Sequence, residues 1–272
     1  FNAWTSNVSE VWNSENIKDV RRRMLAGEEI DACKQCYKVE AYGGVSNRQD
    51  ANNKIRLSDE FGIEEKQLPN HIDLKLTNKC NLACRMCQPK DSNRITNEFT
   101  KIIKENSEFE IFENSALEDP FMNLALVDIP AWEDSDHFLK EFTKTIPNLD
   151  SMCFAGGEPL ILKSFFKMTD LLSEKGRSKK MRITLTSNLT NFPEEKIKGL
   201  LNNFGQVLFN ISIDAVGTEA MYVRYPTKWS TLKENILKLI ELTRDTNSII
   251  YFAPTVQVYN IINLHKVFEF IE

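Results

Sequence analysis

The stretch HIDLKLTNKCNLACRMC, His71 to Cys87, reads as a short strand running into a loop that carries three cysteines, Cys80, Cys84 and Cys87. Four more strand-like segments follow: SMCFAGG (151–157), MRITLTSN (181–188), VLFNISIDA (207–215) and IIYFAPTVQVYN (249–260). Helical spacing occupies the intervals Ser135–Ile146, Ser164–Lys175, Pro193–Asn203 and Ser230–Leu242. Gly176 follows one of these helices, Pro193 opens the next and Ser230 can cap the last. Strand–helix alternation predicts an α/β fold with parallel strands and helices outside. Five strands without a sixth fit a partial (β/α) barrel that is truncated at its C-terminal end. Every strand candidate ends in a polar or glycine-rich tail, and such carboxyl ends form the ligand-binding rim of parallel α/β folds.

Outside that core the pattern changes. Residues 1–68 hold a helix within WNSENIKDVRRRMLAGEE (12–29) that Gly27 can end, then a cysteine pair, Cys33 and Cys36. The polar GGVSNRQDANNK (43–54) is rich in turn residues, and no regular structure is expected there. Two parts follow from this: a small helical, cysteine-bearing module over 1–68 and a catalytic-type core over 69–272. The connection from Gln88 to Leu149 is long for a single loop, so an inserted helix or a lid is expected within it.

Composition narrows the function class. At 272 residues, 42% hydrophobic and 27% charged, the chain is an ordinary globular protein. No run of eighteen apolar residues points to a membrane, and no secretory signal opens the chain. The net charge of −5, without a basic-aromatic stripe, gives no support to a nucleic-acid partner. The chain starts at Phe1 and stops inside an apparent helix, NLHKVFEFIE, as a piece of a longer protein would. Five of the six cysteines lie in two tight clusters, which favours metal binding over disulfides and a reducing, cytoplasmic compartment.

Three thiolates in one loop can converge on one centre, and soft sulfur selects iron–sulfur clusters, zinc or copper(I). A four-iron cubane on three thiolates keeps one iron open for an outside ligand. A zinc site would need a fourth donor, for which His71 is near, and three unligated buried thiols are the plainest alternative.

The C-x3-C-x2-C form of CNLACRMC, directly after a first strand, resembles the radical S-adenosylmethionine (SAM) enzymes, and the resemblance runs from Ile72 to the end. It implies a [4Fe-4S] cluster on Cys80, Cys84 and Cys87, with SAM chelating the open iron. One electron then cleaves SAM to methionine and a 5′-deoxyadenosyl radical that abstracts hydrogen from a substrate. It also implies a low-potential electron donor such as flavodoxin or ferredoxin, and a peptide, a protein or another polar metabolite is the expected substrate. FAGGEP resembles the family's GGE motif beside the methionine amine, which assigns Gly156, Gly157, Glu158 and Pro159 to the cofactor, although a plain turn would look the same. Asn188 matches a Thr-Asn-Gly-like turn after the third strand. SIDA resembles a fourth-strand SIDG, so Ser212 and Asp214 are expected to reach the ribose or cofactor, while Ala215 departs from the pattern. Arg224 in VRYPTKW is expected to pair with the SAM carboxylate, Asn260 to contact the cofactor and Met86 to pack on adenine; a surface Arg and a core Met are the alternatives. Cys153 reads as a small buried strand residue, and no catalytic acid, base or radical-relay residue stands out.

The helix and CKQC of the first module look like part of a SPASM or twitch segment, which implies an auxiliary iron–sulfur cluster on Cys33 and Cys36. A zinc knuckle or a redox pair are the alternatives, and a cluster- or zinc-bearing binding protein without turnover is the alternative for the whole chain. The common peptide-modifying relatives carry such a module after the barrel rather than before it.

Overall fold

The computed structural model describes residues 5–54, 68–105 and 132–272. The chain separates into two compact units, Phe1–Pro69 and Asn70–Glu272.

In the first unit, α1 (Val8–Trp12) and α2 (Glu15–Leu25) precede a 3-10 turn, Asp31–Cys33, that leads into α3 (Lys34–Ala41) and α4 (Asn47–Lys54). The segment expected to be irregular therefore contains a helix. Its start is a capping box: Ser46 Oγ accepts from the Gln49 N–H (3.1 Å) and Gln49 Oε1 accepts from the Ser46 N–H (3.2 Å). Arg48 then grips Glu40 of α3 with two donors, Nη2 at 2.6 Å and Nε at 3.1 Å. Reciprocal caps and a forked ion pair supply what the polar, turn-rich composition concealed.

In the second unit the described elements run β1 (His71–Lys75), α5 (Asn93–Glu105), α6 (Asp136–Thr145), β2 (Ser151–Ala155), α7 (Lys163–Glu174), β3 (Arg182–Ser187) and α8 (Glu194–Asn203). They continue with β4 (Gln206–Ile211), α9 (Gly217–Val223), α10 (Trp229–Thr243), β5 (Ile249–Phe252) and α11 (His265–Ile271). All four strand pairings are parallel and the sheet order is β1-β2-β3-β4-β5. This is the α/β architecture of a partial barrel. Each strand stops short of its sequence-based estimate, because the polar tails leave the ladder and become rim loops. The expectation of an inserted helix or a lid meets α5 here; residues 106–131 of that connection lie outside the described residues. The helix α9 between β4 and α10 had no counterpart in the sequence reading.

Period-2 alternation sorts the strand side chains. Met152, Phe154, Ile183, Leu185, Val207, Phe209 and Ile211 are fully buried, and Phe154 meets Phe165 of α7 edge-on at 5.0 Å. Each such side chain contributes about 1.5–3 kcal/mol by leaving water. The opposite face is half-exposed and polar at Cys153, Thr184, Thr186 and Asn210. Cys153, expected to be buried, sits on that open face, level with Asp73 and Thr184 in the parallel register. No described helix is long and apolar enough to cross a membrane.

Candidate active site: the cysteine loop at the carboxyl rim

The loop after β1 is seated on the loop after β2. Gly156 and Gly157 have φ of +80° and +55°. A Cβ on Gly157 would lie 2.1 Å from the Lys79 carbonyl oxygen, and one on Gly156 would lie 3.2 Å from that of Thr77. The glycines thus admit close approach by the chain's own cysteine loop. The Glu158 N–H donates to the Lys79 carbonyl (2.9 Å) in the same seat.

Glu158 is 1% exposed. Its Oε1 accepts from the Leu160 N–H (3.0 Å) and Ser187 Oγ (2.8 Å), and its Oε2 from the Asn188 N–H (2.7 Å). The carboxylate expected to receive a methionine ammonium is therefore a tie between the ends of β2 and β3. Burial pushes its pKa up, opposed by those three donors. Pro159 opens the buried 3-10 turn Pro159–Ile161.

Asn188 carries the link to the cysteines. Its Nδ2 donates to Asn81 Oδ1 (3.0 Å) and faces Cys80 Sγ at 3.8 Å, while its Oδ1 accepts from Thr190 Oγ1 and N–H. Leu189 follows at φ +52°, fully buried. This is the position where a Thr-Asn-Gly-like turn has glycine, and an L-residue there costs about 1–2 kcal/mol. Burial of the side chain and the Asn235 Nδ2 bond to its carbonyl (2.9 Å) offset that cost.

The other side of the loop is clasped by the chain after β4. Ala83 N–H donates to the Tyr225 carbonyl (2.6 Å) and Arg85 N–H to the Val223 carbonyl (2.9 Å), so Cys84 and Arg224 lie between the two bonds. Arg224 Nη1 is 3.9 Å from Cys84 Sγ. Its Nε lies 2.8 Å from Asp214 Oδ2. That contact is an ion pair without hydrogen-bond alignment, since neither atom has a hydrogen-bond partner. Asp214 Oδ1 accepts from the Thr255 N–H (2.8 Å). Arg224, expected to meet the SAM carboxylate, thus has Asp214 as its charge partner, and the Asp214 side chain is 0% exposed.

Asn260 is equally committed. Its Nδ2 donates to the Asp214 (2.9 Å) and Thr255 (2.8 Å) carbonyls, and its Oδ1 accepts from the Gln257 N–H (2.9 Å). Ser212 and Met86 are half-buried, and the Ser212 N–H bonds the Ser187 carbonyl at 2.9 Å. Three positioning residues escaped the sequence reading. Asn93 Oδ1 accepts from the Cys80 N–H (2.9 Å), Ser92 Oγ donates to the Leu82 carbonyl (2.6 Å), and Asn81 Nδ2 donates to Thr190 Oγ1 (2.7 Å). The run of turn residues Asp91-Ser92-Asn93 marks two of them, and Asn81 lies inside the cysteine motif itself.

All three thiols are free. Burial pushes each of them up, Cys84 to about 12 against a downward pull from Arg224. Yet each sulfur faces an N–H: Leu82 (3.4 Å) and Asn188 for Cys80, Arg224 for Cys84, and the Gln88 backbone for Cys87. Sulfurs surrounded by donors suit thiolates of an iron–sulfur cluster, whose potential such contacts tune. Among the described residues no three Cys, His, Asp or Glu side chains gather as one ion would require; a cubane takes its thiolates on separate irons. Cys80, Cys84 and Cys87 therefore fit as the residues that would hold the cluster.

A sequence model of the Radical SAM superfamily matches residues 74–271. No curated protein matches the chain. Among solved structures, anSMEcpe with bound AdoMet (SAM) is 18% identical at a TM-score of 0.49, covering 74% of this chain and 47% of that one. Streptococcus suis SuiB bound to S-adenosylmethionine is 13% identical at 0.45, covering 90% and 50%. SuiB bound to its precursor peptide SuiA is 14% identical at 0.42, covering 86% and 49%. The chain spans about half the length of these structures, and at such scores the assignment rests on the sequence match, which takes in well over half of the chain. The chain belongs to the radical SAM superfamily.

Proposed function

We propose that the unit from Asn70 onward is the core of an enzyme that reductively cleaves SAM and uses the radical to abstract hydrogen from a peptide or protein. The observation that carries this is the cysteine loop itself, with every sulfur turned toward N–H donors at the carboxyl rim. When bound, the cluster and SAM supply the one-electron cleavage and the 5′-deoxyadenosyl radical. The chain's own part is to seat the loop on Gly156 and Gly157, clasp it with Val223–Tyr225, and keep charge balanced through Asp214 and Arg224. A low-potential flavodoxin or ferredoxin delivers the electron, in a reducing cytoplasm.

A peptide substrate is supported by the aromatic rim beside the loop. Arg85 stacks over Tyr222 at 4.8 Å, Tyr222 meets Tyr259 edge-on at 5.6 Å, and Tyr222, Tyr225 and Tyr259 are each about half-exposed. Tyrosines in this amphipathic setting suit peptide recognition. Cys33 and Cys36 belong to the same proposal as ligands of an auxiliary cluster in a module over 1–68. Both are free and partly exposed, three residues apart where the 3-10 turn meets α3. The SAM, ribose and adenine contacts proposed for Glu158, Asn188, Ser212, Arg224 and Met86 are those of the superfamily's motifs.

The test is anaerobic reconstitution of the full-length protein with iron and sulfide, reduction, and addition of SAM. Release of 5′-deoxyadenosine and methionine is expected, and their absence overturns the proposal.

A further inference from the structure

Arg224 is held from two directions. The backbone clasp Ala83–Tyr225 and Arg85–Val223 fixes its Cα opposite Cys84, and Asp214, itself anchored by the Thr255 N–H, fixes its guanidinium. The side chain is 11% exposed, so little water screens its charge. Of the three loop cysteines only Cys84 is buried, at 8% exposure, and it is the one that faces a full positive charge.

From this geometry we infer that Arg224, positioned by Asp214, sets the reduction potential of the cluster through the Cys84 sulfur before any SAM arrives. Reduction adds one negative charge to the cluster. A guanidinium fixed beside a cluster thiolate stabilises the reduced form more than the oxidised form, and so raises the potential. Arg224 is here a positioning residue, acting through Cys84. The inference rests on the cluster reading of the preceding section but concerns a property of the protein without SAM.

The experiment is a redox titration of the reconstituted full-length protein in the absence of SAM, followed by electron paramagnetic resonance, for wild type, Arg224→Gln and Arg224→Lys. Arg224→Gln should lower the equilibrium constant for one-electron reduction at least tenfold, a shift of about 59 mV to more negative potential. Arg224→Lys, which keeps the charge, should recover more than half of that shift. Unchanged potentials, or equal shifts in both variants, overturn the inference while leaving the cluster reading standing. Loss of cluster from both variants, with wild type loaded, makes Arg224 a folding residue and overturns it as well. Failure of the wild type to assemble a cluster overturns the cluster reading itself.

Discussion

The seat of the cysteine loop gives the sharpest prediction. In Gly157→Ala the new Cβ would stand 2.1 Å from the Lys79 carbonyl oxygen, a backbone atom that no side-chain rotation can clear. Non-bonded heavy atoms settle near 3.5 Å, so the loop must retreat by roughly 1 Å or more. That retreat breaks the 2.9 Å bond from the Glu158 N–H to the same oxygen, a loss of about 1 kcal/mol. The left-handed φ of +55° adds about 1–2 kcal/mol for an L-residue, and the overpacking about 1–3 kcal/mol. Together these cost about 3–6 kcal/mol, a fall in melting temperature of about 6–24 °C for a unit of this size. Gly176→Ala is the internal control: its φ is +76° but nothing lies within 4 Å of its Cβ position, so only the φ cost of about 1–2 kcal/mol applies. Melting curves of the metal-free proteins, followed by iron content after anaerobic reconstitution, separate the two. Gly157→Ala should melt well below Gly176→Ala and bind little iron, while Gly176→Ala loads normally. If both variants melt within about 2 °C of each other and load full iron, the glycines do not seat the loop.

Other consequences can be checked in parallel. In metal-free protein at pH 8, Cys84 should resist iodoacetamide: at a pKa of about 12 roughly one molecule in ten thousand is thiolate, against about a quarter for an ordinary cysteine. Its alkylation, mapped by mass spectrometry, should accelerate as pH rises, and ordinary reactivity at pH 8 would contradict the packing described. Asn260→Ala strands the Asp214 carbonyl and the Gln257 N–H and takes one of two donors from the Thr255 carbonyl, for an expected loss of about 2–4 kcal/mol in denaturant unfolding. Unaltered stability with weakened SAM binding would instead make Asn260 a cofactor contact. Cys36→Ala should leave the SAM-cleaving cluster intact by its paramagnetic signal and lower total iron; loss of both centres together with Cys84→Ala would mean the two cysteine groups share one site.

Much of the second unit was legible because its signals are local and repeated. Strand runs such as MRITLTSN end in polar tails, and those tails are where the parallel sheet gathers its rim. What sequence could not show is which partner each rim residue meets. Arg224 is ten residues past Asp214, and only folding reveals that these two charges satisfy each other. The ties of Glu158 to the Leu160 N–H, Ser187 Oγ and the Asn188 N–H likewise appear only once the ends of β2 and β3 come together. Nor could sequence show that the glycines of GGEP stand against β1 and the cysteine loop's own backbone. In the first unit, the capping box at Ser46 and Gln49 was written in the sequence, but it is four residues inside a stretch whose composition argues for a loop.

The clasp on Cys84 has a consequence for how the protein is made. Arg224 is 140 residues later in the chain than the sulfur it faces. At about 5–20 residues per second, a ribosome needs roughly 7–28 s to supply that distance. For that interval the nascent chain displays Cys80, Cys84 and Cys87 without the strap that buries the middle one. Cells that make this protein face a timing problem: the thiols must escape oxidation and stray metals until Val223–Tyr225 emerges, and iron delivered earlier would meet a loop with no second wall.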